Sequence, residues 1–260
     1  MAEIFRGRTA LVTGASAGIG AAMARDLARR GADLVRVARR AERLEALAAE
    51  CRALGVRAEP VPADLADPAA REALAARIGT VDLLVNNAGF GAYGALDGTD
   101  WARAERLLAV NVVALTHLTR LLTPAMAARG FGRVLHVASV VGFLPVPLFA
   151  TYAASKAYVV SLGIALDAEL APRGVRVTVL CPGATATEFF DVARGEGDAP
   201  SAGPVGAMSA EAVARIGLDA MARGRPMVVA GGTNAAMVFA LRFAPRALTA
   251  RLAMRTLRRR

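Results

Sequence analysis

At 260 residues, 55% hydrophobic and 21% charged, the chain is long enough to bury a sizeable core and too apolar to be disordered. Its net charge of +10 invites an anionic partner, but aromatics are only 5% and no nucleic-acid-binding motif is present, so nucleic acid is not expected. Residues 233–260 hold seven arginines and no acid, which assigns most of the excess to the tail.

The first apolar run, Thr9–Thr13, reads as a strand that ends at Gly14. It is not preceded by a secretory-leader pattern. Residues 18–30 read as a helix with Ile19, Met23 and Leu27 on one stripe. Strands follow at 34–38, 56–61 and 81–85, separated by helices at 41–54 and 68–78. A long helix is expected over 101–129, a fifth strand over 133–138 and a second long helix over 151–171. Strands at 175–180 and 227–230 complete the set. Strand-then-helix alternation at this spacing specifies a parallel sheet with right-handed crossovers. Near-continuous apolar strands suit a sheet covered on both faces. The fold expected is α/β: one doubly wound, Rossmann-like domain with a seven-stranded parallel sheet and helices on both faces. It spans residues 1–232, with 233–260 as a basic helical extension. Arg36, inside the second strand, breaks the apolar pattern, and the sequence offers no reason for it. Residues 195–206 are rich in Gly, Pro and Ser and read as a mobile loop.

Gly14, Ser16, Gly18, Ile19 and Gly20 join the first strand to the first helix. Backbone amides at a helix N-terminus attract phosphate, and glycine permits close approach. Alone, such a turn is weak evidence; after the first strand of a doubly wound pattern it points to a dinucleotide. At the end of the second strand, an acid hydrogen-bonds a ribose 2′-hydroxyl and an arginine accommodates a 2′-phosphate. Arg39 and Arg40 stand there, with no acid before Glu42, which favours NADP(H) over NAD(H). Asp64, past the third strand, either contacts the adenine edge or caps the next helix.

Asn86-Asn87-Ala88-Gly89 ends the fourth strand, at the sheet edge where ligands bind. Asn111 interrupts an apolar helix, so a kink or a water site is expected around its amide. Ser139 ends the fifth strand and could hold a carbonyl oxygen. Tyr152 and Lys156, the sole lysine of the chain, lie one helical turn apart. An ammonium beside a phenol favours the phenolate and lowers its pKa. An isolated pair of this kind is most often an ordinary surface pair; its company here argues otherwise. His117 and His136 fall in helix- and strand-like runs and read as packed structural residues. Cys51 and Cys181 fit no metal or redox spacing, so reduced thiols, a cytoplasmic location and no metal site are expected.

In this order and spacing, the run TGASAGIG, Asn86-Asn87-Ala88-Gly89, Asn111, Ser139, Tyr152-x-x-x-Lys156 and Pro182-Gly183 resembles the short-chain dehydrogenase/reductase superfamily, in its shorter one-domain branch. The resemblance implies reversible hydride transfer between a nicotinamide and a carbonyl or alcohol carbon. It implies Tyr152 as general acid/base and Lys156 as the group that lowers its pKa and holds the nicotinamide ribose. Ser139 would orient the substrate oxygen and Asn111 would support a water relay to Lys156. Asn87 and Ala88, with Gly89, would meet the adenosine side, while Pro182, Gly183, Thr185 and Thr187 would frame the nicotinamide amide. Homodimers or homotetramers built on the long helices are also implied.

The apolar run 140–149, with Phe90, Tyr93, Phe189 and Phe190, suggests a wall for a lipophilic carbonyl or alcohol, or else core or interface packing. Residues 247–260 could form a basic helix with Ala250, Ala253, Met254 and Leu257 on one face, while Leu248 and Leu252 fit neither face. Peripheral contact with an anionic membrane surface is one expectation for it; a solvated helix is the other. A non-catalytic NAD(P)-binding regulator on the same fold is the alternative function.

Overall fold

The apolar strands collect into one sheet because each can be covered only if helices pack on both of its faces. The computed structural model describes residues 2–194 and 206–257. The strands are β1 (Thr9–Thr13), β2 (Asp33–Ala38), β3 (Ala58–Pro62), β4 (Leu83–Asn86), β5 (Gly132–Val137) and β6 (Val175–Cys181). A short parallel pair, β7 (Thr185–Ala186) and β8 (Met208–Ser209), precedes the last strand, β9 (Met227–Val229). The main sheet is parallel throughout, in the order β3-β2-β1-β4-β5-β6-β9. β1 pairs with β2 on one side and β4 on the other, with Leu11 opposite both Val35 and Leu84. The crossovers reverse direction there, which opens a crevice at the carboxyl ends of the strands.

Ten helices are seen among the described residues. α1 (Gly18–Arg29) and α2 (Ala41–Arg52) lie on one face; α3 (Pro68–Ile78) lies on the other. α4 (Trp101–Leu108) leads through a π-helical turn, Ala109–Ala114, into α5 (Leu115–Ala128). α6 (Ala150–Leu170), α7 (Phe189–Arg194) and α8 (Ala210–Ala222) follow, and α9 (Gly232–Leu241) and α10 (Arg246–Leu257) end the described chain. β1 sends Ala10 and Val12 to a core shared with Met23, Leu27, Leu44 and Leu218. Its Leu11 faces a second core with Leu74, Leu118, Leu122 and Met126. This period-two split makes the chain a three-layer α/β sandwich. By length and composition Trp101–Ala128 could cross a membrane, but its α5 part packs against the sheet and buries Leu118, Leu122 and Met126.

Several expectations need correction. The helix expected over 101–129 is broken by the π turn, which sits where Asn111 interrupts the apolar run. α7 and α8 were not expected; α9 falls within the helical extension expected over 233–260. Strand limits move by one or two residues at β2 to β6. The loop expected at 195–206 lies, apart from Gly206, outside the described residues. So do residues 258–260 of the expected C-terminal helix. Ala250, Ala253 and Met254 are half-buried as that helix predicts, whereas Leu248 and Leu252 are exposed. Arg36 has an explanation in part: fully buried on the α2 side, its Nη1 donates to the Leu44 carbonyl at 2.9 Å. Burial pushes its pKa down.

Candidate active site

The crevice at the strand ends is a cleft of about 340 Å3. Its walls come from the segment after each of the first six main-sheet strands: Gly14, Arg39, Asp64, Asn87, Ser139 and Gly183. Among the described residues that line it are also Ser16, Gly18, Ile19, Arg40, Ala88, Gly89, Tyr152, Lys156, Pro182, Thr185 and Thr187. The sequence-expected positions Gly20 and Asn111 stand just behind this wall.

The turn after β1 is built so that nothing projects into it. Gly14 and Gly18 hold φ of +66° and +53°, conformations that glycine adopts without strain. A Cβ on Gly20 would run into the Gly14 carbonyl oxygen, so only glycine lets α1 come this close. Ala17 at the N-cap supplies no side-chain acceptor, which leaves the first amides of α1 without a cap. Asn87 locks the turn from the side: its Nδ2 donates to the carbonyls of Thr13 at 3.0 Å and Gly14 at 3.2 Å. Thr13 Oγ1 accepts from the Asn87 and Ala88 amides, both at 3.0 Å. A compact turn with unused amides fits a dinucleotide pyrophosphate.

At one end of the cleft Arg40 donates to Ser16 Oγ and forms an ion pair with Glu188 at 2.9 Å. Arg43 reaches the same carboxylate at 2.6 Å, and the two guanidinium groups hold it below the usual carboxylate range. No ion pair among the described residues involves Arg39. Two guanidinium groups beside an exposed third fit a ribose 2′-phosphate. Asp64 accepts from Arg106 and from the Ala66 amide; burial raises its pKa, but these donors outweigh burial and leave it low. The α3 cap is Asp67, whose side chain accepts from Ala69 N at 2.9 Å, so Asp64 is not the helix cap.

At the other end the candidate catalytic side chains converge. Tyr152 and Lys156 share one face of α6, and both are at least nine-tenths buried. Lys156 Nζ donates to the Val137 carbonyl at 2.8 Å and lies 5.7 Å from the Tyr152 ring centroid. Burial lowers its pKa to about 8, opposed by the Cys181 thiol. Burial pushes the Tyr152 phenol up, and a hydrogen bond with Ser139 works against it. The expected lowering of the phenol is thus not what the protein groups alone give; Ser139, rather than Lys156, is the group that opposes burial. Ser139 caps the 3-10 turn Val140–Phe143 through Val141 N. Asn111 Nδ2 donates to the Phe90 carbonyl at 3.0 Å and Ser155 Oγ at 3.1 Å, while its Oδ1 accepts from Phe90 N. Gly89 separates Asn111 from Lys156: a Cβ there would lie 2.9 Å from Asn111 Oδ1 and 3.4 Å from Lys156 Nζ.

An aromatic chain closes over the phenol. Phe149 meets the Tyr152 ring edge-on at 5.4 Å, Phe189 lies 5.2 Å away, and Phe190 and Tyr93 extend the chain. Phe149 ends the apolar run 140–149 expected as such a wall; Glu188 was not singled out from sequence. His136 is fully buried against Asn86, and its pKa falls to about 3; His117 accepts from Arg71 Nε. Both histidines are packed, as expected. Among the described residues no cluster of metal-ligating side chains occurs.

Comparison with known proteins agrees with this geometry. Residues 8–196 match the family model described as short chain dehydrogenase. The ketoacyl reductase HetN of Nostoc is 36% identical over 181 residues, 68% of this chain and 63% of that relative. The match thus spans less than two thirds of that relative's length. A solved short-chain dehydrogenase from Sphingobium yanoikuyae, in complex with NADPH, superposes with a TM-score of 0.83 at 36% identity, covering 93% of this chain and 94% of that one. A short chain dehydrogenase/reductase from Burkholderia phymatum, in complex with NAD, gives 0.81 at 30% identity over 90% and 92%.

Proposed function

The chain belongs to the short-chain dehydrogenase family, and from that premise we propose that it is an NADP(H)-dependent oxidoreductase interconverting a lipophilic carbonyl compound and its alcohol, with Tyr152 as general acid/base. The observation that carries this reading is the meeting of Ser139, Tyr152 and Lys156 in the cleft whose far end presents Arg39 and Arg40. The dinucleotide would supply the hydride when bound.

The protein's own share is binding, orientation and proton transfer. The α1 amides and the glycine turn hold the pyrophosphate. Arg39 and Arg40 hold the 2′-phosphate, and Asp64, Asn87, Ala88 and Gly89 line the adenosine side. Pro182, Gly183, Thr185 and Thr187 frame the nicotinamide amide, and Lys156 holds its ribose. Ser139 Oγ and the Tyr152 hydroxyl donate to the substrate oxygen where negative charge develops. Tyr152 gives up its proton in reduction and takes it back in oxidation. Lys156, carrying charge below about pH 8, steadies the phenolate, and Asn111 anchors a relay that returns the proton from solvent. The NADPH-bound Sphingobium structure supports the cofactor choice; the NAD-bound Burkholderia one marks the competing possibility. The five-ring wall from Tyr93 to Phe190 suits an apolar substrate.

Residues 1–232 form the dinucleotide-binding domain in this reading, with 233–260 as its extension. Exposed Val113, Tyr158 and Ile164 on the long helices suit a homodimer or homotetramer. Buried, unpaired Cys51 and Cys181 suit the cytoplasm, with the tail peripheral to the inner face of a membrane.

The test is NADPH oxidation against a panel of lipophilic ketones and aldehydes, for wild type and Tyr152→Phe. Turnover should fall by about 10²- to 10⁴-fold in the variant, with NADPH binding, followed by fluorescence, unchanged. Turnover that survives in Tyr152→Phe removes the proposed role.

A further inference from the structure

We infer that α9 and the start of α10 dock the protein on an anionic lipid bilayer. α9 contains no charged residue, and Val238 is its one buried side chain among the described residues. From Ala235 to Leu241 every side chain is apolar, and such a stretch is ordinarily covered. Here Phe239 is 60% exposed, Phe243, just past the helix, is 77% exposed, and Met237 and Leu248 are also open. The two phenylalanine rings meet edge-on at 5.6 Å, forming one aromatic ridge.

Charge decides what covers this surface. Arg242, Arg246, Arg251 and Arg255 follow within a few turns, and the last acid of the chain is Asp219. No ion pair among the described residues involves any of the four. A second copy docked by two-fold symmetry would set this basic surface against itself. Anionic headgroups complement it, while the rings enter the acyl boundary. Ten helical residues rise only about 15 Å, half the thickness of a bilayer core, so α9 lies in the interface rather than spanning it. Beside it an apolar recess of about 510 Å3 lies between the start of α6 and the 142–147 segment. Among the described residues that line it, only Arg246 is charged. The recess gives an acyl chain room, with a guanidinium at its rim for the phosphate.

The experiment is co-sedimentation of the full chain with phosphatidylcholine vesicles, with and without phosphatidylglycerol. It compares wild type, Phe239→Ser/Phe243→Ser and Arg242→Glu/Arg246→Glu. These side chains are exposed, so thermal melting and NADPH binding should match wild type. Wild type should bind only the phosphatidylglycerol vesicles and be released by high salt. Each double variant should partition roughly ten-fold or more weakly. No binding to anionic vesicles, or equal binding by all three proteins, overturns the inference. So does a drop in oligomeric state in either variant without a change in lipid binding, which would identify the face as a subunit contact. None of these readouts depends on turnover, so the docking and the proposed reaction fail separately.

Discussion

Arg40 and Arg43 both grip Glu188, a residue 148 and 145 positions further along the chain. That carboxylate stands where a ribose 2′-phosphate would bring its own charge, so the two compete for the same donors. Arg40→Ala should weaken NADPH binding by about ten-fold, the scale of one charge-assisted hydrogen bond at a partly exposed site. NADH binding should stay the same, because no charged group is lost from its contacts. Glu188→Gln should move the other way and tighten NADPH by about two- to five-fold, since exposed ion pairs contribute little. Fluorescence titration with both dinucleotides reads the ratio. If Glu188→Gln weakens NADPH instead, the carboxylate organises the arginines rather than competing for them. The convergence of the glycines on one turn, and of Tyr152 and Lys156 on one helix face, was legible in sequence because local spacing fixes each set; Ser139 was reached only through the family resemblance, and Phe149 only as the end of the apolar run 140–149. Glu188 was not legible, since its contacts arise only where distant segments close over the cleft.

Asn111 shows how an element is shaped by one polar side chain. Its amide makes three hydrogen bonds, two of them to the Phe90 backbone next to Gly89. To reach them the helix widens into the π turn Ala109–Ala114. Asn111→Ala would leave the Phe90 amide and carbonyl without their partner in a partly buried place. The expected loss is about 1–3 kcal/mol, read as a lower urea midpoint at unchanged slope. Turnover should fall with it, because the Phe90 backbone that Asn111 holds positions Gly89 beside Lys156. The sequence signalled a kink at Asn111 but not its form, since a π turn has the composition of the α-helices around it. α8 went unread for a related reason. Gly217 in its middle weakens the helical signal, yet a Cβ there would lie 2.7 Å from Leu180. The glycine serves packing against β6 rather than flexibility. The inner strands were readable because strands covered on both faces are largely apolar; Arg36 departs from that pattern because its partner, the Leu44 carbonyl, belongs to α2.

Two buried bases, His136 on the sheet and Lys156 on α6, are pushed toward the neutral form by burial. Burial holds His136 at about 3 in the folded chain against an ordinary 6.5. Between those values the unfolded chain binds the proton and the folded chain does not. The His136 contribution is therefore complete above about pH 6.5 and declines by about 1.4 kcal/mol per unit as pH falls toward 3. The total, about 5 kcal/mol, is comparable with the whole stability of many domains. Lys156 acts at the opposite end. Its folded value is about 8 against 10.5, so below pH 8 the charged amine is carried in both states. From pH 8 to about 9 the folded protein alone releases it, and stability rises by about 1 kcal/mol; above that the buried Cys181 and Cys51 thiols, pushed up by burial, ionise first in the unfolded chain and offset the rise. Exposed ion pairs such as Arg77–Glu59 are too weak to mask either slope. Urea unfolding of the cofactor-free protein from acid to mildly alkaline pH should show both trends. His136→Gln should flatten the acid limb and Lys156→Met the alkaline one. A wild-type acid limb that survives unchanged in His136→Gln would move the acid sensitivity to other groups.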